Sequence, residues 1–129
     1  SICYEIAYPA LVAKGAANAD VLLTVSNDAW FGDSIAPNQH MQIAQMRALE
    51  TGRYLIRATN NGLSGIINPK GEITVMGTQF VQTSIEGEVY VTKGMTPYVR
   101  YGDFLGLTLA FLMLFAAAIV DRGLLARNH

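Results

Sequence analysis

The stretch that decides the fold is VLLTVS at residues 21–26, which lies between the polar residues Asp20 and Asn27. A short, uninterrupted apolar run with β-branched residues and polar flanks is typical of a buried strand. The preceding segment is rich in alanine, and Pro9 suits the first turn of a helix over residues 9–19. Helix and strand therefore follow one another from the start of the chain, which favours an α/β fold.

Four further segments show helix or strand patterns, with turn residues between them. They are a helix at residues 38–51, a strand at 53–59, a hairpin at 63–76 and an alternating stretch at 82–92. Asn38 is a suitable N-cap for the helix, and Gly52 is a suitable residue to end it. The sequence therefore predicts one layered α/β domain over residues 1–95.

The composition excludes several classes of protein. Of the 129 residues, 51% are hydrophobic and 15% are charged, which is too apolar for a disordered chain. The formal net charge of -1 provides no basic surface, so we expect no nucleic-acid partner. A single cysteine excludes an intrachain disulfide and a cysteine-based zinc cluster, and two histidines are few for a metal site. We therefore expect no metal and no cofactor.

An apolar run, FLGLTLAFLMLFAAAIV, occupies residues 104–120. As a helix it would be about 26 Å long at about 1.5 Å per residue, close to the roughly 30 Å core of a bilayer. We interpret it as a transmembrane helix over residues 104–121, and a buried core helix is the alternative. The predicted organisation is a domain at residues 1–95 outside the cytoplasm, a hinge at 96–103, the membrane helix, and a cytoplasmic tail at 122–129.

Cys3 is the leading candidate for chemistry. It lies before the predicted helix that begins at Pro9, and the positive end of a helix dipole favours the thiolate, which is the nucleophilic form. A buried structural cysteine is the alternative. The chain begins Ser1-Ile2-Cys3, without an initiator methionine or a signal peptide. We therefore expect the chain to be the C-terminal piece of a longer protein.

Four motifs occur in a specific order along the chain. They are Cys3-Tyr4-Glu5, Ser26-Asn27-Asp28-Ala29-Trp30-Phe31-Gly32, Arg47-Ala48-Leu49-Glu50 and Thr59-Asn60-Asn61-Gly62. With these motifs the chain resembles the nitrilase superfamily and, within it, the C-terminal part of the bacterial apolipoprotein N-acyltransferases. The resemblance implies the C-terminal part of a nitrilase-like αββα sandwich, followed by one C-terminal transmembrane helix.

The resemblance also implies roles for individual residues. Cys3 matches the family's nucleophile, and Tyr4 and Glu5 match two residues that support activity. The family's other catalytic groups, a glutamate base and a lysine that stabilises the oxyanion, precede the nucleophile. An upstream part of the same protein would therefore have to supply them. From the residues alone, the alternatives are a packed aromatic side chain for Tyr4 and a surface carboxylate at a helix N-terminus for Glu5.

The implied reaction is acyl transfer in lipoprotein maturation. Cys3 would take a fatty acyl group from a phospholipid as a thioester and pass it to the N-terminal amine of a diacylglyceryl-cysteine apolipoprotein. This implies a multi-pass protein of the bacterial inner membrane with its catalytic domain on the periplasmic side. The alternatives are a membrane-anchored nitrilase-type amidase, a non-catalytic anchored domain if the 129 residues are the whole protein, and a cysteine protease using Cys3 and His40.

The loop after residues 21–26 contains candidate substrate-binding residues, since ligands gather beyond the carboxyl ends of strands in open α/β sheets. They are Asn27, Trp30 and Phe31, and the two aromatic side chains would offer an apolar surface to acyl chains. The alternatives are that Trp30 belongs to the core and that Asn27 caps the turn.

Other polar residues are interpreted as structural or left open. We expect His40 to be a hydrogen-bonded surface or capping residue. Arg47 and Glu50 lie three residues apart on a predicted helix, so we expect them to pair beneath the site. The roles of Asn60 and Asn61 stay open.

Overall fold

The computed structural model describes residues 1–127 of the chain, and it describes side chains for residues 1–120. Its strands are β1 (Val21–Ser26), β2 (Tyr54–Thr59), β3 (Gly65–Ile67) and β4 (Ile73–Met76). Its α-helices are α1 (Pro9–Ala16), α2 (Ala36–Thr51), α3 (Pro97–Tyr101) and α4 (Phe104–Arg127). Two short 3-10 helices lie at Cys3–Ala7 and Ala29–Phe31.

The four strands form one mixed sheet in the order β1-β2-β3-β4. β1 and β2 are parallel, with Ser26 opposite Thr59 at their carboxyl ends, and β2, β3 and β4 are successively antiparallel. Ile2 forms a parallel bridge with Val25 on the other side of β1. The predicted α/β class and the hairpin are thus confirmed. Parallel pairing brings the residues that follow Ile2, β1 and β2 to the same edge of the sheet.

Helices α1 and α2 cover one face of the sheet. The small side chains of Ala44 and Ala48 are fully buried and let α2 approach β2 closely. Full burial of a leucine such as Leu55 contributes about 1.5–3 kcal/mol. On the other face Leu23 is 54% exposed. β1 therefore has its predicted bounds, but within the described residues it is not buried on both faces, because the helices cover only one. The core cluster consists of Ile6, Val12, Met41, Ala44, Ala48, Leu55 and Ile67.

Two helix boundaries differ from prediction, and proline explains one of them. α1 ends at Ala16 rather than residue 19. α2 begins at Ala36, so the prediction of Asn38 as its N-cap is wrong. Pro37 lies in the first turn, where its missing N–H costs no helical hydrogen bond, and it starts the helix earlier. Gly52 ends α2 with φ +63°, as predicted, because glycine adopts the left-handed region without a steric penalty.

The stretch at residues 82–92 forms no strand in the described structure, although alternation is typical of a strand. The segment crosses the face of the β3–β4 hairpin. A Cβ atom on Gly87 would lie 2.8 Å from Ile66 Cδ1 and 2.9 Å from Val75 Cγ2. An alternating pattern becomes a strand only when its backbone pairs with a neighbouring strand. This segment packs on the sheet's side chains instead of beside its edge.

The predicted hinge is partly helical and is attached to the domain. Within it, α3 packs against α1 and α2. Thr96 is the N-cap of α3: its Oγ1 accepts the Val99 N–H at 3.2 Å and donates to the Glu50 carbonyl at 2.5 Å. The chain that leads into α4 is therefore held by the C-terminal end of α2.

Helix α4 carries the apolar run, and every residue from 104 to 120 is exposed. Among the residues whose side chains are described, no helix is both long enough and apolar enough to cross a membrane. The predicted cytoplasmic tail at residues 122–129 lies outside the described side chains, and residues 128–129 lie outside the described backbone.

Candidate active site around Cys3

Cys3 lies where the chain turns from the edge of the sheet into a 3-10 helix. Ile2 pairs with Val25 of β1, and Cys3 then begins the helix with φ +51°. For a residue with a side chain, this left-handed conformation costs about 1–2 kcal/mol. Strained backbone of this kind clusters at functional sites. Cys3 is partly exposed and is therefore not enclosed in the core.

The two residues that follow Cys3, Tyr4 and Glu5, are exposed. Glu5 Oε2 accepts the Ile2 N–H at 2.8 Å, and the Glu5 N–H donates to the Ile2 carbonyl at 3.1 Å. This reciprocal pair, one bond through the Glu5 side chain and one through its backbone, fixes the backbone on both sides of Cys3. The ring of Tyr4 packs edge-to-face against Tyr8, with the ring centroids 6.0 Å apart. The structure thus gives Glu5 a capping contact next to the sulfur-bearing residue.

Polar side chains lead from Cys3 into the core. Ser26 Oγ lies 3.8 Å from Cys3 Sγ and 2.5 Å from Asp28 Oδ1. Asp28 Oδ2 accepts from Arg57 Nη2 at 2.7 Å, and both side chains are fully buried. Removing one partner of such a buried pair costs about 3–5 kcal/mol, since the other charge is left in a medium that solvates it poorly. Asp28 and Arg57 therefore fix each other and, through them, Ser26.

His40 reaches the same network from α2. Its Nδ1 lies 3.5 Å from Asp28 Oδ1 and 3.4 Å from Arg57 Nη2. The ring lies edge-to-face on Phe31 at 5.1 Å between centroids and tilted against Tyr4 at 5.9 Å. His40 is only 5% exposed, so the prediction of a surface or capping residue is wrong. The reason is that positions 37, 40, 41, 44, 47, 48 and 51 form the buried stripe of α2.

Asn60 joins the loops that follow β1 and β2. Its Oδ1 accepts the Asp28 N–H at 3.0 Å and the Asn61 N–H at 2.8 Å. Its Nδ2 donates to Asn27 Oδ1 at 2.6 Å, and the same oxygen accepts the Ala29 N–H at 3.1 Å. The side-chain oxygen of Asn27 is thus engaged within the loop, as in the turn-capping alternative. Asn61 is exposed.

The aromatic residues of the loop after β1 are placed differently from each other. Trp30 is 81% exposed, so the core alternative is wrong for this residue. Its Nε1 donates to the Asn27 carbonyl at 2.9 Å, which holds the indole ring on the loop. Phe31 is half-buried against His40. Of the two aromatic residues in this loop, Trp30 is therefore exposed to solvent, whereas Phe31 packs against His40.

Arg47 and Glu50 form the predicted pair, with Arg47 Nη2 3.1 Å from Glu50 Oε1. The pair does not lie beneath the site. It lies toward α3, where burial raises the pKa of Glu50; Arg47 opposes this shift and the Asp103 carboxylate adds to it.

The sequence reasoning missed the roles of Ser26, Asp28 and Arg57. One signal was available: Arg57 occupies an alternate position of a predicted apolar strand, and a buried arginine requires a buried acidic partner. The second motif, Ser26–Gly32, contains that partner, Asp28. Among the described residues, no group of three histidine, cysteine, aspartate or glutamate side chains is arranged to hold a metal ion.

Comparison with known proteins adds independent findings. The chain is 58% identical over 100 residues to the apolipoprotein N-acyltransferase of Pseudomonas paraeruginosa, which covers 78% of this chain and 20% of that protein. It is 53% identical over 113 residues to the apolipoprotein N-acyltransferase of Azotobacter vinelandii, with 88% of this chain and 22% of that protein covered. The chain thus spans about a fifth of the length of these curated relatives.

A solved structure and a family model are also similar to this chain. Nit3 of Saccharomyces cerevisiae, a member of branch 10 of the nitrilase superfamily, matches with a TM-score of 0.48 and 19% identity over 61% of this chain and 32% of that one. The family model described as carbon-nitrogen hydrolase matches residues 1–91. These residues include Cys3 and the whole polar network around it, and the resemblance inferred from the motifs is confirmed. The chain belongs to the carbon-nitrogen hydrolase family.

Proposed function

We propose that this chain is the C-terminal part of an apolipoprotein N-acyltransferase and that Cys3 is its nucleophile. The observation that carries the proposal is the position of Cys3: a partly exposed thiol on a strained turn, at the sheet edge shared with the loops after β1 and β2. The curated relatives with this name support the same assignment.

The proposed chemistry is two successive displacements at one sulfur. The Cys3 thiolate attacks the carbonyl carbon of a phospholipid acyl ester, the ester C–O bond breaks, and the lysophospholipid leaves as an alcohol. The N-terminal amine of a diacylglyceryl-cysteine apolipoprotein then attacks the thioester. An amide forms, the C–S bond breaks, and the thiol is regenerated. Splitting the transfer in this way replaces one difficult step by two easier ones.

Several groups support these steps. A glutamate base and a lysine from the upstream part of the same protein would remove the thiol proton and stabilise the oxyanion. The backbone N–H beside Cys3 would be a further oxyanion donor, and one such donor contributes about 3–4 kcal/mol. Glu5 holds the backbone at this point through Ile2, and the ring of Tyr4 packs against Tyr8 and His40.

The substrate-binding surface is proposed to be the loop after β1. Trp30 is the most suitable contact for acyl chains, because its indole is almost completely exposed while its Nε1 is held by the Asn27 carbonyl. Phe31 supports the same surface from the side of His40. Asn27 contributes mainly by shaping the loop, since its Oδ1 is already engaged.

The substrates are lipids, so the site has to lie close to a bilayer. We propose that residues 104–121 insert as a membrane helix, because the apolar side chains of residues 104–120 are exposed and have hydrocarbon as their natural environment. The domain at residues 1–95 would then lie on the periplasmic side of the inner membrane. Residues 96–103 would connect it to the bilayer, with residues 122–129 in the cytoplasm.

The test uses the complete protein that contains this chain, incubated with phospholipid in mixed micelles. We expect the peptide that carries Cys3 to gain the mass of one acyl group, and hydroxylamine to remove it as thioester chemistry requires. Cys3→Ser should lose this adduct and the acylation of a diacylglyceryl-cysteine peptide. Absence of the adduct in the wild-type protein, or full activity in Cys3→Ser, contradicts the proposal.

The description of the family favours one alternative, a membrane-anchored amidase that transfers the acyl group to water. The same preparation distinguishes the two. Release of ammonia from small amides, without acylation of the peptide amine, supports the amidase. Transfer to the amine supports the acyltransferase.

A further inference from the structure

We propose that Ser26 is a positioning residue for Cys3, and that the buried Asp28–Arg57 pair sets the direction of the Ser26 hydroxyl group. This inference rests on the proposed role of Cys3 as nucleophile. It assigns a role to the polar side chains that join the sulfur to the core, which the reaction scheme above does not use.

The Ser26 hydroxyl group has a single proton and two neighbouring acceptors. Ser26 Oγ lies between two groups, Asp28 Oδ1 at 2.5 Å and Cys3 Sγ at 3.8 Å. A hydroxyl group has one proton to donate, and an ionised carboxylate can only accept. The shorter contact, to the charged group, therefore takes the proton. The lone pairs of Ser26 Oγ are left facing the sulfur, where they accept from the Cys3 S–H in the resting enzyme.

Contacts on Asp28 and on the Ser26 backbone prevent both side chains from moving away from this arrangement. Asp28 is held on three sides: Arg57 Nη2 bonds its Oδ2, Asn60 Oδ1 accepts its N–H, and the backbone of Gly62 packs directly against its side chain. Ser26 is in addition a strand residue, opposite Thr59 in the parallel register. The oxygen that faces the sulfur is thus fixed by both backbone and side-chain contacts.

The negative charge of Asp28 is balanced by Arg57. An unpaired carboxylate so close to Cys3 would repel the thiolate that attacks the substrate. Arg57 lies 2.7 Å from Asp28 Oδ2 and neutralises it. The pair therefore orients Ser26 without placing a net negative charge beside the nucleophile. Orientation of a reacting atom by a rigid set of supporting contacts is the usual way to keep it in an attacking geometry.

The experiment measures the rate at which the complete protein forms the Cys3 acyl-enzyme, by rapid quench and peptide mass. We expect Ser26→Ala to slow this rate about tenfold, because the resting thiol loses the hydrogen bond that orients Cys3 Sγ before the base removes its proton. The KM for phospholipid should stay unchanged, because Ser26 positions the sulfur and does not bind the lipid. Ser26→Thr keeps the hydroxyl group and should recover most of the rate.

Thr24→Val is the matched control. Thr24 lies two residues earlier on the same strand and is buried, and its Oγ1 has no hydrogen-bond partner among the described residues. Removing this hydroxyl should leave the rate at the wild-type value. If Ser26→Ala does not fold, Ser26→Cys takes its place, because its thiol fills a similar volume but is a weak acceptor.

Failure of this inference is distinguishable from failure of the proposed function. If the wild type forms the acyl-enzyme and Ser26→Ala forms it equally fast, Ser26 is not a positioning residue. If the wild type forms no acyl-enzyme, the rate at which iodoacetamide alkylates Cys3 is measured instead of the rate of acylation. A several-fold change in Ser26→Ala that Ser26→Thr reverses then supports the positioning role, and an unchanged rate overturns it.

Discussion

At the scale of single residues, the site depends on a position that has no side chain. Gly62 is buried, and its backbone lies against the carboxylate of Asp28. A Cβ atom at this position would overlap Asp28 Oδ2 and would lie 2.8 Å from both the Cβ and the Cγ of Asp28. The ion pair with Arg57 leaves Asp28 little freedom to move. Glycine is therefore required here for close approach.

We predict that Gly62→Ala destabilises the fold by about 2–4 kcal/mol, because the added methyl group forces Asp28 away from its buried partner. It should also reduce acyl-enzyme formation. Thermal unfolding of the protein measures the first effect. Gly15→Ala is the control, since a Cβ atom at that exposed helical position meets nothing within 4 Å. Equal melting temperatures for the two variants would contradict the prediction.

Some features of the site could be predicted from local residue patterns, and others could not. The position of Cys3 just before helix α1 was predictable, because Pro9 and the alanine-rich segment that follows it are local signals. The inward direction of His40 was predictable in principle from the buried stripe of α2, but placing the start of that helix at Asn38 concealed it. The contact between Asp28 and Arg57 was not predictable, since 29 positions separate the two residues in the sequence.

At the scale of elements, α2 is attached to the segment that precedes α4. Thr96 bonds the Glu50 carbonyl, and Arg53 Nη2 donates to the Gly94 carbonyl at 2.6 Å. Thr92 Oγ1 donates to the Gly52 carbonyl at 2.8 Å. The C-terminal end of α2 thus organises the connection to α4, while its N-terminal half supports the site through His40.

Glu50 makes this connection sensitive to pH. Burial raises its pKa above the ordinary value of 4.5, with Arg47 opposing and Asp103 adding to the shift. The folded state therefore binds this proton more tightly than the unfolded state. The contribution of Glu50 to stability is fully present below pH 4.5 and is lost as the pH rises through the raised pKa.

We predict that Glu50→Gln removes this dependence. The melting temperature of the wild type, relative to Glu50→Gln, should fall as the pH rises from about 4 to 7. We expect a small slope, because water screens a group that is only partly buried. Differential scanning fluorimetry across this range measures it, with Glu86→Gln, which removes an exposed carboxylate, as the control. A difference in melting temperature between the two proteins that stays constant or grows as the pH rises would contradict the prediction.

At the scale of the whole molecule, the described structure has two unlike parts. Residues 1–95 contain the sheet, its helices and the hairpin, whereas α4 presents apolar side chains on all sides from 104 to 120. A helix that is apolar all round requires an apolar surrounding. This contrast is the basis for proposing that the catalytic part and the lipid-facing part are joined through α3.

We predict that Leu112→Arg, near the middle of the apolar run, impairs insertion of α4. An arginine at the centre of an inserted helix costs about 2.5–3.5 kcal/mol. Leu112→Ala, which keeps the position apolar, should insert as the wild type does. Protease protection of a C-terminal tag on the complete protein, in inverted membrane vesicles, reports the orientation. Identical digestion of both variants and the wild type would argue against a membrane position for α4.

Local sequence patterns predicted the order and type of most elements, from β1 to the β3–β4 hairpin, and placed the thiol just before the first helix. These features follow from local periodicity and turn chemistry, which neighbouring residues carry on their own. Tertiary structure decided the rest. The path of residues 82–92, the attachment of α3 to α2 and the burial of Asp28 with Arg57 all depend on contacts between distant segments. Such contacts have no local signal, because their free energy exists only once the segments have come together.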